Sequence, residues 1–122
     1  MKKEEILFSE YKKSFKRYAE FFGMKNYEIF FCLDKEDDGR GRIEVNYQDK
    51  IANVCLCNGV LGGNVNDVDK VAFHEAAELF CFEHFSRYLD DFDRVVGSKI
   101  SVPATHSVIR FLENELYPRI RR

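Results

Sequence analysis

Neither sign of charge prevails in this chain of 122 residues: Lys and Arg total 19 against 21 for Asp and Glu, a formal net charge of -2. That balance offers no general attraction to nucleic-acid phosphates or anionic lipid, so a nucleic-acid role would need a local basic patch. No apolar run approaches the roughly 20 residues needed to cross a bilayer. The start, Met1-Lys2-Lys3-Glu4-Glu5, lacks the apolar core and small-residue cleavage site of a secretory signal. These absences predict a cytoplasmic chain with no membrane partner. C-x-x-C spacing is missing too, so Cys32, Cys55, Cys57 and Cys81 are expected as reduced, mostly buried thiols that pack rather than ligate or cross-link. No internal repeat or low-complexity segment divides the chain, and its length leaves room for one core, so residues 1–122 are expected to form one domain.

What is present is apolar surface: 45% of the residues are hydrophobic, with 12 Phe and 6 Tyr. Leu7, Tyr11, Phe15, Tyr18 and Phe22 recur at helical spacing among Lys and Glu, which predicts an amphipathic helix stopped at Gly23. Three β-rich runs follow: Tyr27 to Leu33, Arg42 to Tyr47 and Ile51 to Cys57. In the second, Ile43, Val45 and Tyr47 alternate with Glu44 and Asn46, as a sheet with one covered face requires. The short links predict an antiparallel meander. Beyond a glycine-containing stretch, Asp67 is the expected N-cap of a long helix reaching about Leu89. A last helix should begin near Ser101-Val102-Pro103 and end before Pro118, leaving a basic tail, Arg119-Ile120-Arg121-Arg122. The expected fold is therefore α+β, a three-stranded antiparallel meander packed against an N-terminal helix, a central motif helix and a C-terminal helix.

The long helix carries His74-Glu75-x-x-Glu78. On a helical wheel His74 and Glu78 stand about 40° apart, with Glu75 about 60° beyond Glu78. Their neighbours on that arc are Val71, Cys81, Phe82 and Phe85. Charges on so apolar a face need compensation, since an unpaired buried charge costs several kcal/mol. A divalent cation supplies it: residues at i and i+4 reach one ion together at about 2 Å, and Glu75 beside them can take a proton from an activated water. Without an ion, the same residues read as a hydrogen-bonded His–Glu pair, or as partners of an arginine such as Arg110.

A catalytic zinc wants a third protein donor. His84 completes the spacing H-E-A-A-E-L-F-C-F-E-H, but with Cys81 where a turning glycine would be needed, a continuous helix carries it about 15 Å away. His106, near the start of the last helix, can be delivered by a helix crossing the long one, and Glu113 two turns later can orient the site from behind.

With these residues the chain resembles a minimal zincin, most closely the small metallopeptidase-like proteins encoded by phages and prophages. In that family a helix and antiparallel strands precede an H-E-x-x-H helix with a short apolar lead-in, and a last helix reads like E-H-x-x-I-R-R-L-E-N. The matching segments are Val71-Ala72-Phe73-His74-Glu75 and Thr105-His106-Ser107-Val108-Ile109-Arg110-Phe111-Leu112-Glu113-Asn114, and the resemblance covers roughly residues 4 to 117. It implies a zincin-like fold, His74 and His106 as metal ligands and Glu75 as general base, with Glu78 in the second ligand's place. Two imidazoles and one carboxylate match the ligand count of thermolysin-type sites in another chain order.

The resemblance implies a zinc-dependent hydrolase of the peptidase class, with zinc or another divalent metal as cofactor and a protein or peptide substrate. Two alternatives accompany it. The Glu78 exchange fits a non-catalytic zincin scaffold of phage origin that binds a host protein, inside the host cytoplasm. The basic tail fits a metal-dependent ribonuclease, against which the acidic balance argues.

Overall fold

The computed structural model describes residues 2–97 and 101–121. Helix α1 spans Lys3–Phe21 and buries Leu7, Tyr11, Ser14, Phe15, Tyr18 and Ala19 along one stripe. Each large apolar side chain so covered contributes about 1.5–3 kcal/mol. The helix ends as its spacing predicts: the Gly23 amide donates to the Glu20 carbonyl at 3.0 Å and the Met24 amide to the Ala19 carbonyl at 2.8 Å, the paired bonds of a Schellman stop.

Strands β1 (Glu28–Asp34), β2 (Gly41–Asn46) and β3 (Ile51–Cys57) form a sheet ordered β1-β3-β2. It is mixed, and corrects the expected antiparallel meander: β3 pairs in parallel with β1 and antiparallel with β2. The reason lies in the link between β1 and β2. It crosses the end of β3, where the carbonyls of Asp37, Gly39 and Arg40 accept the amides of Asn58, Gly59 and Cys57 at 2.9, 2.8 and 3.0 Å. A Cβ on Gly59 would lie 2.5 Å from the Asp38 carbonyl oxygen, so only glycine admits the crossing link there. Leu56, Val54 and Ala52 of the central strand are fully buried, as suits a strand with neighbours on both sides.

On one face of the sheet, Phe31, Leu33, Ile43 and Val45 join β3 in the core with α1 and the next helix. The opposite face holds Arg42, whose guanidinium meets Asp34 at 3.0 Å, Asp37 at 2.7 Å and Glu44 at 3.2 Å. Beneath it Cys32 and Cys55, register partners on β1 and β3, are joined in a disulfide. That corrects the expectation of four reduced thiols. Spacing along the chain gives no hint that these two meet, and only the parallel pairing brings them opposite one another. Cys57 and Cys81 are free and buried.

After a 3-10 turn at Asn58–Val60, α2 spans Val65–Cys81. Its N-cap is Asn64 rather than Asp67: the Asn64 side chain accepts the Asp67 amide at 3.1 Å, and the Asp67 carboxylate accepts the Asn64 amide at 2.9 Å. Asp67 is thus the reciprocal partner of a capping box. A π-helical turn at Phe82–Ser86 follows, then α3 at Arg87–Val96, so the helical run outlasts the expected end near Leu89. Helix α4 spans Ser101–Glu115 and α5 spans Tyr117–Ile120, with Pro118 in its first turn. Arg119 and Ile120 of the expected tail are therefore helical, and Arg122 lies outside the described residues. Among the described residues no helix is long and apolar enough to cross a membrane.

Asp69 ties the helices together. Its Oδ2 accepts the hydroxyls of Tyr18 at 2.6 Å and Tyr117 at 2.8 Å, linking α1 and α5 to α2 in the interior. The rings of Tyr18 and Tyr117 close on Phe73 at 5.3 and 4.9 Å. This clamp seats the end of α4 one turn from the motif on α2.

Candidate metal centre

The motif falls where α2 passes under the start of β2. Gly41 makes the approach possible: a Cβ there would lie 2.6 Å from Val71 Cγ1 and 3.1 Å from Glu75 Oε1. Any side chain at position 41 would displace the helix face that carries the motif. Glu75 consequently sits against the strand with 3% of its surface exposed.

His74, Glu75 and Glu78 form a group that can hold a metal ion, their ligand atoms lying within 4.8 Å of one another. His74 Nε2 and Glu78 Oε2 are 3.9 Å apart. That is too long for a hydrogen bond. It fits two ligands of one ion, which at about 2.1 Å each stand no more than about 4.2 Å apart.

From α4, Glu113 Oε2 comes within 3.4 Å of His74 Nδ1. An ionised carboxylate only accepts, so in the neutral imidazole the proton belongs on Nδ1 and Nε2 keeps its lone pair, facing Glu78. Carboxylates commonly hold a ligating imidazole in this way. The hydrogen bond to Glu113 raises the His74 pKa, against the opposing effect of burial, and the charges of Glu75 and Glu78 act in the same direction as Glu113.

Glu75 is the centre's anomaly. Its Oε2 is buried and has no hydrogen-bond partner among the described residues. Burial first, and then the charge of Glu78, push its pKa up to about 8. The nearby Tyr11 hydroxyl donates instead to the Cys55 carbonyl at 3.1 Å, so it does not relieve Glu75. A buried carboxyl left in this state costs about 1–3 kcal/mol. A cation at the adjacent donors would remove that penalty.

Beside the group opens a cavity of about 290 Å³ lined by Arg40, Gly41, Lys70, Val71, His74, Glu75 and Glu113. His106 is exposed and lies outside the donor group. The last helix brings Glu113 to His74 instead, and His106, seven residues earlier on nearly the same helix face, is about 10 Å back along the axis. His84 is also exposed, with its ring 4.6 Å from that of Phe80. Arg110 is exposed and forms no ion pair with Glu78. Sequence reasoning missed Arg40, Gly41 and Lys70 at the cavity. Lys70 precedes His74 by four residues and was legible as sharing its helix face, whereas Arg40 and Gly41 read only as a turn. No protein-family model, curated protein or solved structure matches this chain.

Proposed function

We propose that the chain is a divalent-metal-dependent hydrolase acting on peptide bonds, with zinc as the metal. One observation carries the reading: a buried carboxyl oxygen on Glu75, without a partner among the described residues, stands within a compact group of one imidazole and two carboxylates. His74 through Nε2 and Glu78 through its carboxylate are the residues that would hold the ion. Ligation through Nε2 requires the neutral imidazole, with its proton on Nδ1 toward Glu113, and a divalent cation there would offset the negative charge gathered by the carboxylates around it. A bound divalent cation supplies Lewis acidity toward a carbonyl and toward water.

The protein's own residues divide the remaining tasks. Glu113 fixes the imidazole's tautomer and orientation, leaving Nε2 free. Glu75, shielded from solvent beside the cavity, would accept a proton from an attacking water and return it to the leaving amine once a bound cation has drawn its carboxyl into the ionised form. β2 is an edge of the sheet and its Gly41 lines the cavity, so an extended peptide that adds a strand to β2 would pass the site. The resemblance of His74-Glu75-x-x-Glu78 to the zincin motif supports the same assignment.

The deciding experiment is elemental analysis of protein purified without added metal, together with zinc titration calorimetry of the unmutated protein, His74→Ala and His106→Ala. The expected result is one zinc per chain, lost in His74→Ala and retained in His106→Ala. A metal-free protein that does not take up zinc would end the reading.

A further inference from the structure

We infer that the cavity beside His74 receives a substrate carboxylate held by Arg40 and Lys70. What lies next to that carboxylate, a scissile peptide bond, rests on the hydrolase reading above. Arg40 and Lys70 both line the cavity, and both are exposed. Neither side chain forms an ion pair or hydrogen bond with any described residue.

Arg42, two residues further along the chain than Arg40, is bound by three carboxylates. Within the cavity Glu113 is engaged by His74 at 3.4 Å, and Glu75 is withdrawn from solvent. The two cations therefore line a space in which Glu113 is engaged by His74 and Glu75 is buried, and neither carboxylate pairs with them.

Placement adds direction. Lys70 is one helical turn before His74 and shares its face of α2, and Arg40 immediately precedes Gly41 at the start of β2. A carboxylate between them would be fixed from two elements at once, beside the donor group rather than within it. A guanidinium and an ammonium on either side give charge-assisted hydrogen bonds, stronger than neutral ones. The volume, about 290 Å³, is at the lower end for ligand sites and suits one or two residues rather than a long segment. The carboxylate can belong to an acidic side chain or to a peptide C-terminus, and both present the same group.

The test uses three fluorescently labelled six-residue peptides of one neutral sequence, one with a free C-terminal carboxylate, one amidated with a single internal Glu and one amidated without acid, and a fourth, amidated with a single internal Lys, for the charge-reversed variant. Binding is measured by anisotropy on zinc-loaded protein carrying Glu75→Gln, which prevents turnover, and on zinc-free unmutated protein. A carboxylate-bearing peptide should bind about tenfold tighter than the neutral one. That margin should vanish in an Arg40→Gln, Lys70→Gln background, and the double change to Glu should instead favour a peptide with a single Lys. Which of the two acidic peptides carries the margin identifies the carboxylate's source. Equal affinity for all three, absence of binding by all three, or a margin that survives the double substitution overturns the inference. If zinc does not bind but the carboxylate margin persists on zinc-free protein, the hydrolase reading fails alone.

Discussion

Glu113 Oε2 lies 3.4 Å from His74 Nδ1, although 39 residues separate the two in the chain. The contact joins α4 to the motif helix and leaves the other ring nitrogen facing Glu78. It makes Glu113 a positioning residue whose effect is read through His74.

Removing that support should weaken the metal site without abolishing it. Glu113→Gln is expected to lower zinc affinity about 10- to 100-fold, while His74→Ala eliminates it. Titration calorimetry separates the two. Equal affinity in Glu113→Gln and the unmutated protein would show that the contact has no part in binding.

The metal-free protein should lose stability as pH rises. Glu75 has its pKa raised from 4.5 to about 8 by burial, so the folded chain keeps a proton that the unfolded chain releases. Its contribution is complete below pH about 4.5 and declines toward pH 8, at up to about 1.4 kcal/mol per pH unit. His74, also raised, adds to the fall with the same sign. Thermal melts in chelator across this range should show a falling midpoint, flattened in Glu75→Gln and opposed by added zinc.

Gly41→Ala tests the approach of β2 to α2. The new methyl would meet Val71 Cγ1 at 2.6 Å, an overlap that the packed helix face cannot absorb in place. A loss of about 1–3 kcal/mol is expected in denaturant titration, accompanied by weaker zinc binding because Glu75 and His74 move with the helix.

Asp69→Ala should be costly at a distance from the cavity. It strips the acceptor from the buried hydroxyls of Tyr18 and Tyr117, with an expected loss of about 2–4 kcal/mol. Restoring an acceptor with Asp69→Asn should recover part of it, measurable as a shift in urea midpoint.

Thiol counting checks the covalent link. Denatured without reductant, the chain should present two reactive thiols, Cys57 and Cys81, and four after reduction. Four thiols without reductant would exclude the Cys32–Cys55 bond.

Sequence alone determined what depends on local periodicity. The α1 stripe from Leu7 to Tyr18, the three strand segments and the placing of His74, Glu75 and Glu78 on one arc follow from repeats of 3.6 and 2 residues, which survive whatever the elements pack against. Pairing partners are another matter. The strand order β1-β3-β2, the meeting of Cys32 with Cys55, the closeness of Gly41 to Glu75 and the choice of Glu113 over His106 are all set by contacts between distant segments. His106 and Glu113 lie seven residues apart on nearly one helix face, so periodicity cannot distinguish them. The depth at which α4 docks on α2, held by the Asp69 clamp, decides which of the two reaches His74.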